Sequence, residues 1–371
     1  MSSTPSPAPS SPVPSAPSFP LVSVIVPNYN YGRSIGLCVE AALTQTYPNV
    51  EVVVVDDCST DDSAAIAAAA GARVVSTGVN SGVAVARNLG AELSSGEILV
   101  FLDSDVAMHP DAVEKSVELL ASGRGYGAIC GTYEPEPLIR DSLIEEYRSL
   151  QQYYLLLRSE GVIDTVHTAI LAMPRHVFDE VGPFNPILRH TEDQDYGRRI
   201  SERYTVLSSL EVRGRHDHDD TLRIVLDKVF ARARLAVPLI LGRRALQGGF
   251  VTGPRAGASL AAPLAVAALA APVLWGPLWA LLPLALFALG VLGDLDMYRV
   301  VRKHRGRAFL VYFVAVNFLV NLTVFAAIGV AGVQWLCSKR FRHLYDPQPR
   351  PEHRPAAETP VRTAGAVASR G

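Results

Sequence analysis

The patterned part of the chain begins at Leu21, where Leu21-Val-Ser-Val-Ile-Val-Pro27 is a short apolar run closed by proline, as expected of a buried strand. Ser34 to Thr46 reads as a helix, Val50 to Val55 as a second strand, and an alanine-rich helix runs to about Ala70. Arg73 to Ser76 predicts a third strand, Gly82 to Leu93 a helix, and Glu97 to Leu102 a fourth strand. Strands that alternate with helices at this spacing predict an α/β fold, a mostly parallel sheet covered on both faces. Ligands of such sheets sit beyond the carboxyl ends of the strands. The polar clusters Asn28-Tyr29-Asn30, Asp56-Asp57 and Asp103-Ser104-Asp105 all fall there.

Further on, Leu138 to Arg158 reads as a helix rich in Tyr and Leu. A less regular region leads through Thr168–Met173 to the acidic cluster Thr191-Glu192-Asp193-Gln194-Asp195, then to Arg213-Gly-Arg-His-Asp-His-Asp-Asp220. Thr221 to Leu241 sets Leu222, Val225, Leu226, Val229 and Phe230 against Arg223, Lys228, Arg232 and Arg234, an amphipathic basic helix suited to a membrane interface. No charge occurs between Ala256 and Gly293, and Ala308 to Cys337 is a second apolar run, whereas one crossing needs about 20 residues. Trp275-Gly276-Pro277 would turn the first run into a hairpin, giving two or three crossings in all. Basic flanks at Arg243-Arg244-Arg255 and Arg299–Arg307 put the catalytic side in the cytoplasm of a multi-pass membrane protein, but Lys339–Arg342 after a third crossing would break the rule. The expected organisation is a Pro/Ser-rich tail (1–20), a catalytic domain (21–219), an interfacial helix and linker (220–255), a membrane region (256–337) and a flexible basic tail (338–371).

Composition sharpens this reading. Only 19% of the 371 residues are charged, and the formal net charge of −2 argues against a nucleic-acid partner. Cys38, Cys58, Cys130 and Cys337 form no CxxC pair and read as reduced thiols of a cytosol-facing domain.

Several clusters carry candidate chemistry. Asp103 and Asp105 on a turn after an apolar strand suit a hard divalent cation held together with a diphosphate. Asp56 or Asp57 can take hydrogen bonds from a base or ribose, or merely cap the next helix, as Asp61 and Asp62 are expected to do. Thr191 with Gln194 fits a capping box. A carboxylate held at that helix start is equally placed to take a proton from an attacking hydroxyl. His216 and His218 are candidates for a metal or diphosphate contact, or solvated loop residues.

Taken in order, Val24–Asn30, Val54–Asp61, Asn80–Gly90, Phe101–Asp105 and Thr191–Asp195 resemble the motifs of the family 2 inverting glycosyltransferases of GT-A fold, over about Val22 to Leu241. The resemblance implies that Pro27, Tyr29 and Asp57 line the nucleoside pocket. Arg87 and Ser104 would lie by the nucleotide-sugar, and Asp103 and Asp105 would hold Mg²⁺ or Mn²⁺ with the diphosphate. Asp193 would be the general base, with Glu192 as second choice. The donor would be a UDP- or GDP-sugar, and the membrane segments point to a lipid-linked acceptor in polysaccharide or glycolipid assembly. Processive members carry Gln-x-x-Arg-Trp after the acidic cluster; here the tryptophans are Trp275, Trp279 and Trp335, so transfer of a single sugar is expected. Three other readings stand beside this one: a transferase acting on polyprenyl phosphate itself, an inactive membrane scaffold, and an NAD-dependent enzyme. The last lacks GxGxxG after its first strand.

Overall fold

The computed structural model describes residues 19–188, 191–241 and 253–344; residues 1–18 and 345–371 of the expected tails, and Arg243-Arg244, lie outside the described residues, whereas Lys339–Arg342, at the start of the tail expected to be flexible, is helical. The first half contains β1 (Val22–Asn28), α1 (Ile35–Leu43), β2 (Val50–Asp56), α2 (Ser63–Ala69), β3 (Arg73–Ser76), α3 (Val83–Leu93), β4 (Ile98–Leu102), β5 (Val106–Met108), α4 (Ala112–Leu120) and β6 (Tyr126–Tyr133). There follow α5 (Leu143–Leu157), β7 (Gly161–Ile163), β8 (Ile170–Pro174), α6 (Arg175–Val181), α7 (Glu192–Ser201) and β9 (Thr205–His216). The helical end comprises α8 (Leu222–Leu241), α9 (Gly253–Ala267), α10 (Ala271–Trp275), α11 (Leu281–Gly293), α12 (Leu295–Cys337) and α13 (Lys339–Arg342).

The strands form one sheet in the order β3-β2-β1-β4-β8-β6-β9-β5, with β7 also on β9. The four strands read from the pattern are parallel, β1 pairing from Val22 with Val50 of β2 and Ile98 of β4. Beyond β4 the sheet is mixed. β8 is antiparallel to β4 and β6, β6 is parallel to β9, and β5 and β7 are antiparallel to β9. The expectation of a mostly parallel sheet therefore holds only for the first half. A parallel return needs a long crossover. Only Asp103, Ser104 and Asp105 separate β4 from β5, so β5 leaves the row and pairs with β9 instead.

Alternation along β1 sends Val22, Val24 and Val26 to one face, under α1 and α4, and Ile25 to the other, under α3, α6 and α7. A third buried cluster joins Ile144, Tyr147 and Leu150 of α5 to Val225 of α8 and to Met297, Tyr298, Val301, Phe309 and Phe313 of α12. At its centre the Asn317 amide donates to Asp294 and to the Tyr298 hydroxyl, each at 2.9 Å, and accepts from the Tyr147 hydroxyl at 3.2 Å.

The expected turn is present: Gly276, at φ 100°, breaks the apolar stretch so that α11 packs back on α9. Its two limbs, Ser259–Trp275 and Pro277–Gly293, are apolar but short. Among the described residues only the helix Leu295–Cys337 is long and apolar enough to cross a membrane, so two or three such helices are not found. That helix is itself interrupted at Gly306, whose φ of 77° is left-handed.

Candidate functional site

The ends of β1 and β2 are tied together by side chains. The Asn28 amide donates to Asp56 and to Ser63, both at 2.8 Å, and the Asn30 carbonyl accepts from the Thr60 amide at 2.7 Å. Asn30 and Cys58 hold left-handed φ values of 61° and 62° in the two loops. Pro27 is buried in β1, whereas Tyr29 stands out over the strand end, 45% exposed. Asp57 is buried, and its carboxylate accepts from the Thr77 hydroxyl at 2.8 Å and from the amides of Ser81 and Gly82 at 2.8 and 2.7 Å. It thereby holds the loop before α3, and a nucleoside would share this carboxylate with three protein donors. Asp61 caps α2 through the Ser63 amide at 3.0 Å and also takes the Gly32 amide at 2.9 Å, while Asp62 makes no side-chain cap.

Arg87 comes from α3 and is almost wholly buried. One guanidinium nitrogen donates to Asp103 at 2.7 Å and another to Glu192 at 2.9 Å, so the carboxylates after β4 and at the start of α7 are joined through one cation. Burial works against that charge, but Asp103 and Glu192 more than offset it, and the arginine's pKa is raised. Phe184 stacks on Tyr196 of α7 at 4.2 Å and lies 5.5 Å from the guanidinium, which fixes the entry of α7.

Asp105 is nearly buried. One of its oxygens has no hydrogen-bond partner and lies 3.6 Å from His216 Nε2. Burial raises its pKa, opposed by His216 and reinforced by Asp103. Its charge in turn pushes up the pKa of the Tyr31 phenol. The histidine arrives there because Val106 of β5 is paired with His216 of β9. His216 stacks on His218 at 4.0 Å, with the Tyr133 ring edge-on to both. His218 is buried rather than solvated, and burial, then His216, hold its pKa well below the usual value. Ser104 is buried behind the turn and its carbonyl accepts from the Ser34 hydroxyl at 3.2 Å.

At the start of α7 the expected capping box does not form. Thr191 makes no side-chain cap, and the Gln194 amide donates instead to Asp193 at 2.7 Å. That carboxylate lies one residue away and satisfies the amide without the threonine. Burial, then the charge of Glu192, push the Asp193 pKa up to about 7.

Two contributors carried no motif. Arg33 reaches Asp141 at 2.8 Å and Asp217 at 3.1 Å, tying the loop after β1 to α5 and to the end of β9. Tyr133 lies at the end of β6, a strand with Gly127 and Gly131 that the pattern did not disclose. A Cβ at Gly131 would come within 2.8 Å of Ile170 and 3.0 Å of Val212, so glycine there lets the neighbouring strands close up.

Comparison with known proteins bears on the family and the fold. A family model described as "Glycosyl transferase family 2" matches residues 23–182. The chain is 32% identical over 208 residues to glycosyltransferase AglE of Haloferax volcanii, covering 53% of this chain and 67% of that one. It is 42% identical over 106 residues to the putative teichuronic acid biosynthesis glycosyltransferase TuaG of Bacillus subtilis, covering 27% of this chain and only 42% of the relative. Among solved structures, the mannosyltransferase PcManGT of Pyrobaculum calidifontis, in complex with GDP-Man and Mn²⁺, shares the fold at 20% identity. Its TM-score is 0.53, with 87% of this chain and 89% of that chain aligned.

Proposed function

Because the chain belongs to glycosyl transferase family 2, we propose that it is an inverting, metal-dependent enzyme that moves one sugar from a UDP- or GDP-sugar to a hydroxyl of a lipid-linked acceptor. The observation that carries this reading is the Arg87 bridge. It sets Asp103, on the diphosphate side, at a fixed separation from the α7 carboxylates that face the acceptor.

Asp193 takes the proton of the acceptor hydroxyl, and its pKa of about 7 suits a base at neutral pH. The freed oxygen attacks the anomeric carbon from the face opposite the diphosphate. The new carbon–oxygen bond forms as the bond to the phosphate oxygen breaks, which inverts the configuration. Glu192, paired with Arg87, is the less available of the two carboxylates.

Asp103 and Asp105 would hold Mg²⁺ or Mn²⁺, with His216 alongside. The unpartnered buried oxygen of Asp105 fits such an ion. Among the described residues no three His, Cys, Asp or Glu side chains form a ready cage, which suits a cation completed by substrate phosphates. When bound, the ion would neutralise the diphosphate and stabilise the departing nucleoside diphosphate. Mn²⁺ accompanies GDP-Man in the mannosyltransferase named above. Pro27, Tyr29 and the loop held by Asp57 would receive the nucleoside. Anchoring through α12 would keep the cleft at the cytoplasmic face of the membrane, and apolar residues at the α10–α11 turn, such as Val273 and Leu278, are more than 80% exposed.

The test is release of nucleoside diphosphate from a panel of nucleotide-sugars by membranes containing the full chain, with Mn²⁺, Mg²⁺ or chelator. Metal-dependent release lost in Asp105→Ala and Asp193→Asn is expected. Transfer that survives Asp193→Asn would remove the base assignment, and turnover in chelator would remove the metal.

A further inference from the structure

Tyr29 to Ser34 carry the chain from β1 into α1, across the ends of the parallel strands. On one side this loop leans on the turn after β2. The Asn30 amide donates to the Ser59 hydroxyl at 3.0 Å, and the Gly32 amide to Asp61 at 2.9 Å. On the other side it leans on the turn after β4. The Ser34 hydroxyl donates to the Ser104 carbonyl at 3.2 Å, and one turn into α1 the Cys38 thiol donates to the Asp103 carbonyl at 3.6 Å. One segment therefore touches both the loop read as nucleoside-binding and the turn read as metal-binding.

Arg33 leaves this loop in a third direction. One of its guanidinium nitrogens lies 2.8 Å from Asp141, 3.1 Å from Asp217 and 3.7 Å from Glu145, and the other lies 3.8 Å from Asp220. Among the described residues these four carboxyl groups have no other cation within ion-pair distance. Their neighbours have cations of their own: Glu146 holds Arg140 and Arg305, and Asp219 holds Lys228. Glu145 is wholly buried, and burial, then its hydrogen bond with Asp141, push its pKa up to about 8. It joins the group as a neutral acid at pH 7, and Asp141, Asp217 and Asp220 carry the charge. Without the guanidinium these like charges would repel one another with no counter-ion between them.

The carboxylates belong to two other parts of the fold. Asp217 follows β9, and its amide donates to the Asp105 carbonyl at 2.7 Å, next to the pairing of Val106 with His216. Asp141 and Glu145 stand on either side of Ser142, the cap of α5, whose Ile144, Tyr147 and Leu150 are buried with residues of α8 and α12. Arg33 thus fixes the loop bearing Tyr29 against the strand end that carries the Asp105 backbone, and against the helix seated on the helical end. An exposed ion pair adds little to global stability, so the effect of this one is local: it selects the position of the loop. Its donors are already engaged by Asp141 and Asp217, which leaves them no part in gripping a diphosphate.

We infer that Arg33 is a positioning residue for the donor, holding the Tyr29 loop and the Asp105 backbone at the spacing that receives a nucleoside diphosphate with its cation. This rests on the reading of Tyr29, Asp57 and Asp105 as the donor side of the cleft.

The experiment is binding of GDP and UDP with Mn²⁺ to the full chain in detergent micelles, with thermal unfolding of each sample and steady-state donor kinetics. Wild type is compared with Arg33→Met, Arg33→Lys and Asp141→Asn. When the receiving arrangement is populated only in part, apparent affinity falls by the populated fraction, whereas turnover at saturating donor is kept. Arg33→Met should therefore weaken the nucleotide that the wild type binds by about tenfold and raise the donor KM in step, with kcat within about twofold. Arg33→Lys should recover part of the affinity. Asp141→Asn, at an exposed carboxylate outside the cleft, should weaken the nucleotide by about two- to threefold. Both side chains are at the surface, so each variant should melt within about 2 °C of wild type. The inference is overturned if Arg33→Met binds nucleotide as the wild type does, or if affinity and Tm fall together, since the arginine is then a structural tie alone. It is also overturned if Asp141→Asn keeps full affinity while Arg33→Met loses it, since the arginine then meets the nucleotide directly, or if kcat falls with the donor KM unchanged. A wild type that binds neither nucleotide would remove the donor reading and this inference with it, whereas failure of the Arg33 role alone leaves wild-type binding intact.

Discussion

Replacing Arg87 by methionine removes a buried cation while keeping most of its length. Glu192, 7% exposed, would be left as an uncompensated buried carboxylate, whereas the Asp103 side chain, 31% exposed, can be rehydrated. Breaking one side of a buried pair costs about 3–5 kcal/mol. Discounting the Asp103 half for solvent leaves about 3 kcal/mol, most of it at Glu192. For a domain of this size that lowers Tm by about 6–12 °C. Thermal unfolding of the full chain in detergent micelles, followed by circular dichroism, reads the shift. The double variant Arg87→Met/Glu192→Gln should recover about 1–2 kcal/mol, since the stranded charge is then gone. Arg87→Lys should rescue little, because one ammonium cannot hold two carboxylates as the guanidinium fork does. A Tm within about 2 °C of wild type for Arg87→Met, or simple additivity in the double variant, would refute the bridge as the element that fixes the cleft.

Three further outcomes follow from the same geometry. For Asp193, the folded pKa of about 7 lies above the ordinary carboxylate value, so the protonated form favours the folded state. Stability from this group is full below about pH 4 and lost as pH rises through about 7. Transfer instead needs the ionised base, so kcat/KM should rise with pH to a plateau with a midpoint near 7, and a flat profile would exclude this base. Gly90→Ala places a Cβ 2.3 Å from Ile25 and 3.1 Å from Val55, and overpacking of about 1–3 kcal/mol should appear as a lowered Tm; an unchanged Tm would mean that α3 can lift off β1 freely. Asn317→Leu removes the hydrogen bonds to Asp294, Tyr298 and Tyr147, and a loss of about 2–4 kcal/mol should raise protease sensitivity between α5 and α12. Unaltered cleavage would place the strength of that contact elsewhere.

The parallel strands were legible because each is an apolar run closed by a polar cluster. Arg73–Ser76 is where the pattern put it, and β4 begins one residue later than read. The helix expected from Leu138 starts at Leu143. Ser142 caps it by accepting from the Glu145 amide at 3.0 Å, a Ser-x-x-Glu signal that was there to be found. The second half of the sheet was not legible. β6 contains glycines that look like loop, and β9 owes its pairing to partners far away in the chain. The Asp103–Asp105 turn and the α7 acids stood out as local patterns. Their connection through Arg87 spans 105 positions to Glu192, which no local pattern encodes. The histidines looked like a polar loop because the sequence does not disclose that β5 pairs there and encloses them.

The helix α5 sits between two neighbourhoods. Its sequence lies inside the stretch that reads as catalytic, yet Ile144, Tyr147 and Leu150 are buried against α8 and α12. A cut near residue 220 would follow the grain of the sequence and run across the grain of the packing. It would leave an oily stripe on α5. An evolutionary or laboratory exchange of the helical end would therefore have to bring along a matching α5, or resurface it. In this molecule the long apolar helix is a wall of the α/β half, through its packing on α5.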